Sequence, residues 1–251
     1  MKALLLAAGM GSRLRPITDS VPKCMVPVMG RPLLDYWLDL LGPAPDCDEI
    51  VINTHYLPEP VRQHVSQSPF RSKVTLVHED ALLGTGGTLI ANLPRLLGND
   101  ALVAHADNLT LFRLGDFLRA FEQRPADCIA TMMSFRTDTP EACGILELDD
   151  RGVVQGFHEK VTDPPGTLAN AAVIMFSAEV LDTIHSEKWT SIVDISLDIV
   201  PRLLGRVNTW PNTVYHRDIG SPTALAAAEL EFPRAYLASR NQTNGCSRRL
   251  P

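Results

Sequence analysis

Lys2-Ala3-Leu4-Leu5-Leu6-Ala7-Ala8-Gly9-Met10-Gly11-Ser12-Arg13-Leu14-Arg15-Pro16 carries an apolar run straight into a glycine-rich, basic turn. The run is too short for a secretory signal, and the arginines that follow it do not suit the cleavage site such a signal needs. A run that is apolar on both faces reads instead as a strand covered on both sides by helices. Glycines directly behind a strand let the backbone approach a ligand and point N–H groups at phosphate oxygens. This stretch therefore predicts the first strand of an α/β fold and a phosphate loop.

Outward from it, apolar runs alternate with helical patterns. Strands are expected at 49–54, 74–78, 101–105 and 128–135, and helices at 33–41, 60–66, 88–97 and 114–124. Such alternation implies βαβ units and a mostly parallel central sheet with helices on both faces. The second half reads differently. A hairpin is expected over 145–148 and 153–159, strands at 171–176, 207–210 and 214–218, and helices at 178–185 and 195–204. Ser221-Pro222 suits the start of a last helix, with serine as cap and proline at the first helical position. Residues 240–251 are polar and aperiodic and read as a frayed, flexible tail. No linker or repeat is visible, so residues 1–239 are expected to form a single domain.

Composition narrows the function. The 251 residues are 45% hydrophobic, enough for one sizeable core. The formal net charge is −6 and no basic face is apparent, which argues against nucleic acid as a partner. No run is long enough to span a bilayer, so no membrane partner is expected. The 5 cysteines are widely spaced and without a CxxC pair, as for reduced thiols in a cytoplasmic protein.

The loop fits neither of the two commonest phosphate-binding fingerprints. A dinucleotide turn would place a third glycine where Leu14 stands, and an acid where Asn53-Thr54 ends the second strand. No G-K-[ST] follows, as a Walker loop requires. The loop carries cations instead, Arg13 within it and Lys23 further on. Nucleotidyl transfer needs such charges where negative charge accumulates; surface cations in a loop are the plainer alternative.

The stretch from Leu6 to Thr18, then Pro22-Lys23 and Pro27-Val28-Met29-Gly30-Arg31-Pro32-Leu33, resembles the sugar-1-phosphate nucleotidyltransferase family, most closely its mannose-1-phosphate guanylyltransferase-type members. The resemblance thins out towards Glu229. It implies a Rossmann-like α/β fold with an elaborated sugar-binding half, a Mg²⁺ requirement, and as substrates a nucleoside triphosphate and a sugar 1-phosphate. It implies that Ala7, Ala8, Gly9, Gly11 and Ser12 cradle the nucleotide, that Arg13 stabilises the leaving pyrophosphate, and that Lys23 meets the α-phosphate. Many members self-associate, so a homo-oligomer is among the expectations. The chain departs from the family pattern at Cys24, where proline is usual, and from its short C-terminus the β-helix domain of some members is not expected.

Two acids stand where an open α/β sheet binds ligands, beyond strand ends: Asp107 after 101–105 and Asp218 before Gly220-Ser221-Pro222. Mg²⁺ takes a few carboxylates and leaves its remaining positions to phosphate and water. The resemblance assigns both acids to the metal, and Asp107 to the sugar phosphate as well. A turn or cap role is the alternative for each taken singly. On the sugar side, the resemblance gives Glu159 and Asn170 to sugar hydroxyls, Lys160 to the sugar phosphate, and Gly144 to a close backbone approach. Asp194 and Asp198 read as helix-start and solvent-facing residues.

Glu79 and Gly84-Thr85-Gly86 follow the third strand, where the resemblance puts the loop that lies against the base. A carboxylate accepts only, which suits the adjacent N–H donors of guanine better than uracil or thymine. The expectation is thus GTP with mannose- or heptose-1-phosphate. The same reaction with UTP or dTTP, and a non-catalytic nucleotide-sugar-binding relative, are the alternatives.

Overall fold

A computed structural model describes residues 1–189 and 191–246, and the side chains through Ser239. In chain order the elements are β1 (Lys2–Leu6), β2 (Pro27–Val28), β3 (Arg31–Pro32), α1 (Leu33–Leu41), β4 (Glu49–Thr54), α2 (Pro58–Gln67), β5 (Val74–His78), α3 (Gly84–Leu96), β6 (Ala101–His105), β7 (Asn108–Leu111), α4 (Leu114–Glu122) and β8 (Ala130–Arg136). Then come β9 (Gly144–Leu148), β10 (Val154–Glu159), β11 (Leu168–Phe176), α5 (Ala178–Ser186), β12 (Val207–Pro211), β13 (Tyr215–Asp218) and α6 (Pro222–Cys246).

β5, β4, β1 and β6 lie side by side and parallel, with β1 interior. Alternation along β1 sends Ala3, Leu5 and Ala7 into a core shared with α1, α2 and α4, while Leu4 and Leu6 enter the other core with α3 and α5. The opening apolar run is thus a central strand with helices on both faces, as its two-sided hydrophobicity implies.

The sheet turns antiparallel at β11, whose halves have different neighbours. Val173–Phe176 pair with β6, whereas Ala169 pairs with Ile145 of β9. Between them the ladder to β8 shifts register, and Ala172 takes a positive φ of 50°. The β9–β10 hairpin therefore fans away from the parallel strands. A small separate sheet pairs β13 with β7, setting Asp218 opposite Asn108.

Two expectations need correction. The helix expected over 195–204 is a π-helical turn at Ile195–Ile199 followed by a 3₁₀ turn at Val200–Leu203. Pro201 has no N–H to donate and cannot continue a regular ladder. The last helix runs to Cys246, past the expected end of the domain at 239. A polar stretch has no apolar period from which its end could be read. The rest of the expected tail, 247–251, lies outside the described residues.

Candidate active site

The segment after β1 does not open a helix. It makes three single 3₁₀ turns, Ser12–Leu14, Ile17–Asp19 and Lys23–Met25. Gly11 sits at φ 64°, and a Cβ there would come within 2.8 Å of Thr18 Cγ2, so both conformation and space demand glycine. Thr18, fully buried, donates from Oγ1 to Gly11 O at 2.7 Å and clamps the loop. Leu14 is buried in a third core cluster with Val26, Val28, Ile219 and Phe232, tying loop and α6 together.

The loop delivers Lys23 between the two acids. Its Nζ hydrogen-bonds Asp107 Oδ2 and lies 3.4 Å from Asp218 Oδ1. Burial opposes the ammonium charge, but the two carboxylates outweigh it and raise the pKa of Lys23. Burial likewise opposes ionisation of Asp107; Lys23, with His105 adding, overcomes it and holds the carboxyl below its usual range. Beside them, burial and then Asp107 push the Cys24 thiol up to about 12, so the residue in the usual proline position is inert. Asp107, in the turn between β6 and β7, and Asp218, at the end of β13, converge on the Lys23 ammonium. That is a donor set Mg²⁺ accepts when phosphate oxygens complete its shell.

Arg13 and Arg15 part company. Arg13 Nη2 reaches Gly220, where a Cβ would lie 2.8 Å from it and 2.7 Å from Asp218 Oδ2, so the glycine leaves room for both side chains. Arg15 pairs outward with Asp19 at 3.1 Å, both exposed.

A cavity opens beside this cluster. It is lined by Ala7, Ala8, Gly9, Lys23, Glu79, Gly84, Thr85 and Asp107, and also by Asn53, Leu82, Thr88 and His105. Glu79 is only 6% exposed, so it does not face solvent. Its Oε1 accepts from Asn53 Nδ2 at 2.9 Å and Thr88 Oγ1 at 2.5 Å, while Asn53 Oδ1 accepts from Ala7 N at 2.6 Å. Among the described residues Oε2 is engaged only by Leu83 N, at 3.4 Å. The carboxylate therefore has one oxygen committed and one available. Asn53 and Thr88 are functional candidates that the sequence reading passed over; the available signal was polar side chains at the end of a buried strand and on the buried side of a helix. Gly86 does not line the cavity, being covered by Ile192 and Asp194.

On the other side, Lys160 Nζ pairs with Glu159 Oε1 at 2.8 Å. That bond raises the Lys160 pKa against the opposing effect of burial, with the charges of Glu159, Asp194 and Asp218 adding. Gly144 stands opposite Glu159 in the β9–β10 ladder; a Cβ there would lie 2.5 Å from Phe157 Cζ and 2.6 Å from Glu159 Oε2. The glycine thus makes room for Glu159. Asn170 Oδ1 accepts from Ala172 N at 2.8 Å, and both residues line a smaller cavity with His105, Ile195 and Ser196. His216 packs its ring against Phe135, tilted by 52° with centroids 4.3 Å apart, and leaves its buried Nδ1 without a partner among the described residues. Burial, then the charges of His105 and Arg217, push its pKa down to about 3.

Among the described residues no helix is long and apolar enough to cross a membrane. Cys24, Cys47, Cys128 and Cys143 are free thiols.

Residues 2–234 match the nucleotidyl transferase family. The chain is 30% identical over 243 residues to the mannose-1-phosphate guanylyltransferase of Mycobacterium tuberculosis, covering 94% of this chain and 66% of that protein. It is 31% identical over 230 residues to a glucose-1-phosphate thymidylyltransferase of Streptomyces griseus, covering 90% of this chain and 64% of the relative. The chain thus spans just under two thirds of the length of these relatives. The crystal structure of HddC from Yersinia pseudotuberculosis superimposes with a TM-score of 0.73 at 21% identity, over 92% of this chain and 99% of that one, and so shares the fold.

Proposed function

Because this chain belongs to the nucleotidyl transferase family, we propose that it joins a sugar 1-phosphate to a nucleoside triphosphate and releases pyrophosphate. The observation that carries this reading is Lys23 held between Asp107 and Asp218 at the edge of the glycine-rich loop. An oxygen of the sugar phosphate attacks the α-phosphorus, and the bond from that phosphorus to the bridging oxygen of pyrophosphate breaks. No covalent enzyme intermediate is needed, so the side chains act by positioning and by charge.

Each group has a task in that step. The N–H groups of the glycine-rich loop face the triphosphate. Lys23 neutralises the α-phosphate, and Arg13 meets the charge that grows on the departing pyrophosphate. Asp107 and Asp218 would hold Mg²⁺, which when bound neutralises phosphate oxygens. Lys160 binds the sugar phosphate, and Glu159 and Asn170 accept from or donate to sugar hydroxyls. For the base, Glu79 supports guanine through its available Oε2. Relatives of nearly equal identity carry guanylyl and thymidylyl names, so the comparisons do not favour either base.

The test is pyrophosphate release from GTP, UTP and dTTP, each with mannose 1-phosphate and glucose 1-phosphate, with and without Mg²⁺. Release that needs both substrates and the metal is the expected result. Triphosphate binding without release from any pair would point to a non-catalytic nucleotide-sugar-binding protein.

A further inference from the structure

Asp194 and Asp198 read in the sequence as a helix start and a solvent-facing acid, yet both belong to a strap that joins the two cavities. The strap, 192–198, lies across the first turn of α3. Gly86 N and Gly87 N donate to Val193 O at 2.9 and 3.3 Å. Ile195 N donates to Thr85 Oγ1 at 2.8 Å, and that hydroxyl donates to Asp194 Oδ2 at 3.1 Å. The approach is close: a Cβ on Gly84 would lie 2.3 Å from Val193 O, and one on Gly86 2.6 Å from Ile192 Cγ2. The small residues of this loop thus serve the strap.

The other oxygen of Asp194 turns towards the sugar side. Oδ1 accepts from Ser196 N at 2.7 Å and Leu197 N at 3.1 Å. Asp198 Oδ2 accepts from Val193 N and Asp194 N at 2.7 and 2.8 Å and stiffens the same turn. Ile195 and Ser196 then line the smaller cavity with Asn170 and Ala172. The Asp194 charge also reaches Lys160. One carboxylate therefore has one oxygen on the loop beside the larger cavity and the other on the turn beside the smaller one.

We infer that Asp194 is a positioning residue which, through Thr85, fixes the sugar-phosphate subsite relative to the triphosphate loop, so that the two substrates bind as a coupled pair. This rests on the reaction proposed above. An in-line displacement needs its reacting atoms aligned and about 3–3.5 Å apart. A loosened strap costs rate and sugar affinity without removing any group that touches the triphosphate's reacting phosphorus.

The sign of the effect is diagnostic. Asp194→Asn removes a negative charge near a phosphate subsite, so a purely electrostatic role would tighten sugar 1-phosphate binding, whereas a positioning role weakens it. Thr85→Val leaves every charge in place and deletes the hydroxyl that both donates to and accepts from the strap.

The full chain, both single variants and the double variant are compared with the substrate pair from the panel that the wild type turns over best. Each single variant is expected to raise the sugar 1-phosphate KM about tenfold, the size of a typical coupling between sites, and to lower kcat. The double variant should be no worse than the poorer single one, because both cut the same link. For Asp194→Asn, triphosphate Kd by calorimetry stays at the wild-type value. Tighter sugar phosphate in Asp194→Asn, additive losses in the double variant, or loss of both substrates in parallel with a fall in Tm overturns the inference. An unchanged sugar KM in Thr85→Val overturns it alone. A wild-type chain that turns over no pair overturns the proposed reaction, and this inference with it.

Discussion

The ammonium of Lys23 rests against the carboxylate of Asp107, each nearly enclosed, with side-chain exposures of 13% and 18%. Removing one partner of such a pair leaves the other charge buried and uncompensated, at a cost of about 3–5 kcal/mol. Lys23→Met is therefore expected to lower Tm in the absence of metal, and Mg²⁺ should recover more of that loss than it adds to the wild type, because lysine no longer competes for the carboxylates. Asp107→Asn and Asp218→Asn should each abolish turnover in a folded chain, with Asp107→Asn also lowering Tm because Lys23 keeps only its longer contact to Asp218. Thermal melts with and without Mg²⁺, beside a steady-state pyrophosphate assay, check both. Near-wild-type activity in either asparagine variant refutes the metal assignment.

Arg13 reaches Gly220 while Arg15 pairs with Asp19 at the surface. Arg13→Ala is expected to lower kcat about 100-fold, the scale for losing one transition-state charge contact. An exposed ion pair contributes about 0–1 kcal/mol to stability, and Arg15→Ala should leave kcat within a small factor of wild type. Equal losses in steady-state kinetics would mean that the wrong arginine has been assigned to pyrophosphate.

Much of this division was legible beforehand. The parallel strands are apolar on both faces, and their positions follow from the sequence at 49–54, 74–78 and 101–105. Lys23, Asp107 and Asp218 were legible because each stands at a loop or strand end in a recognisable motif. The strap was not, since neither a π-helical turn nor a link from Thr85 to Asp194 leaves a periodic trace. Nor was the network on Glu79: Asn53 could be seen only as a missing acid, because its partners come from another strand and a helix.

That network gives Glu79→Gln a clean meaning. The amide oxygen can keep accepting from Asn53 and Thr88, so the substitution chiefly replaces the available Oε2 with a donor. If Glu79 reads guanine, kcat/KM for GTP should fall about tenfold or more relative to UTP, the loss of a hydrogen bond between a charged group and its partner. Preference ratios for GTP, UTP and dTTP, measured before and after the substitution, decide it. A wild-type preference for a pyrimidine triphosphate would refute the guanine reading and leave the reaction class standing.

Glu159→Gln should weaken the sugar phosphate more than the triphosphate in calorimetric titrations. Gly144→Ala should do the same without changing any polar group, because its methyl would occupy the space of Phe157 Cζ and Glu159 Oε2. Unchanged sugar affinity in both variants would return Glu159 to the role of a surface carboxylate.

Burial pushes the pKa of His216 down to about 3, from an ordinary value of 6.5. Its folded pKa is depressed, so between these values the unfolded chain binds the extra proton and stability rises with pH. Its contribution is an acid-side loss that begins as pH falls below about 6.5 and is complete below about 3. His216→Phe, which keeps a ring on Phe135, should flatten the dependence of Tm on pH between 7 and 4. An identical slope in both proteins would show that the imidazole is protonated in the folded state.

The pairing of β13 with β7 also orders events during synthesis. β1, the glycine-rich loop, Lys23 and Asp107 all leave the ribosome well before Asp218, and that acid is set in place by a strand that must return to Asn108–Leu111. Phe232 of α6 then packs with Leu14 of the loop. A nascent chain stopped short of β13 thus carries the glycine-rich loop and only one of the two acids, and the proposed reaction would wait for β13 to pair.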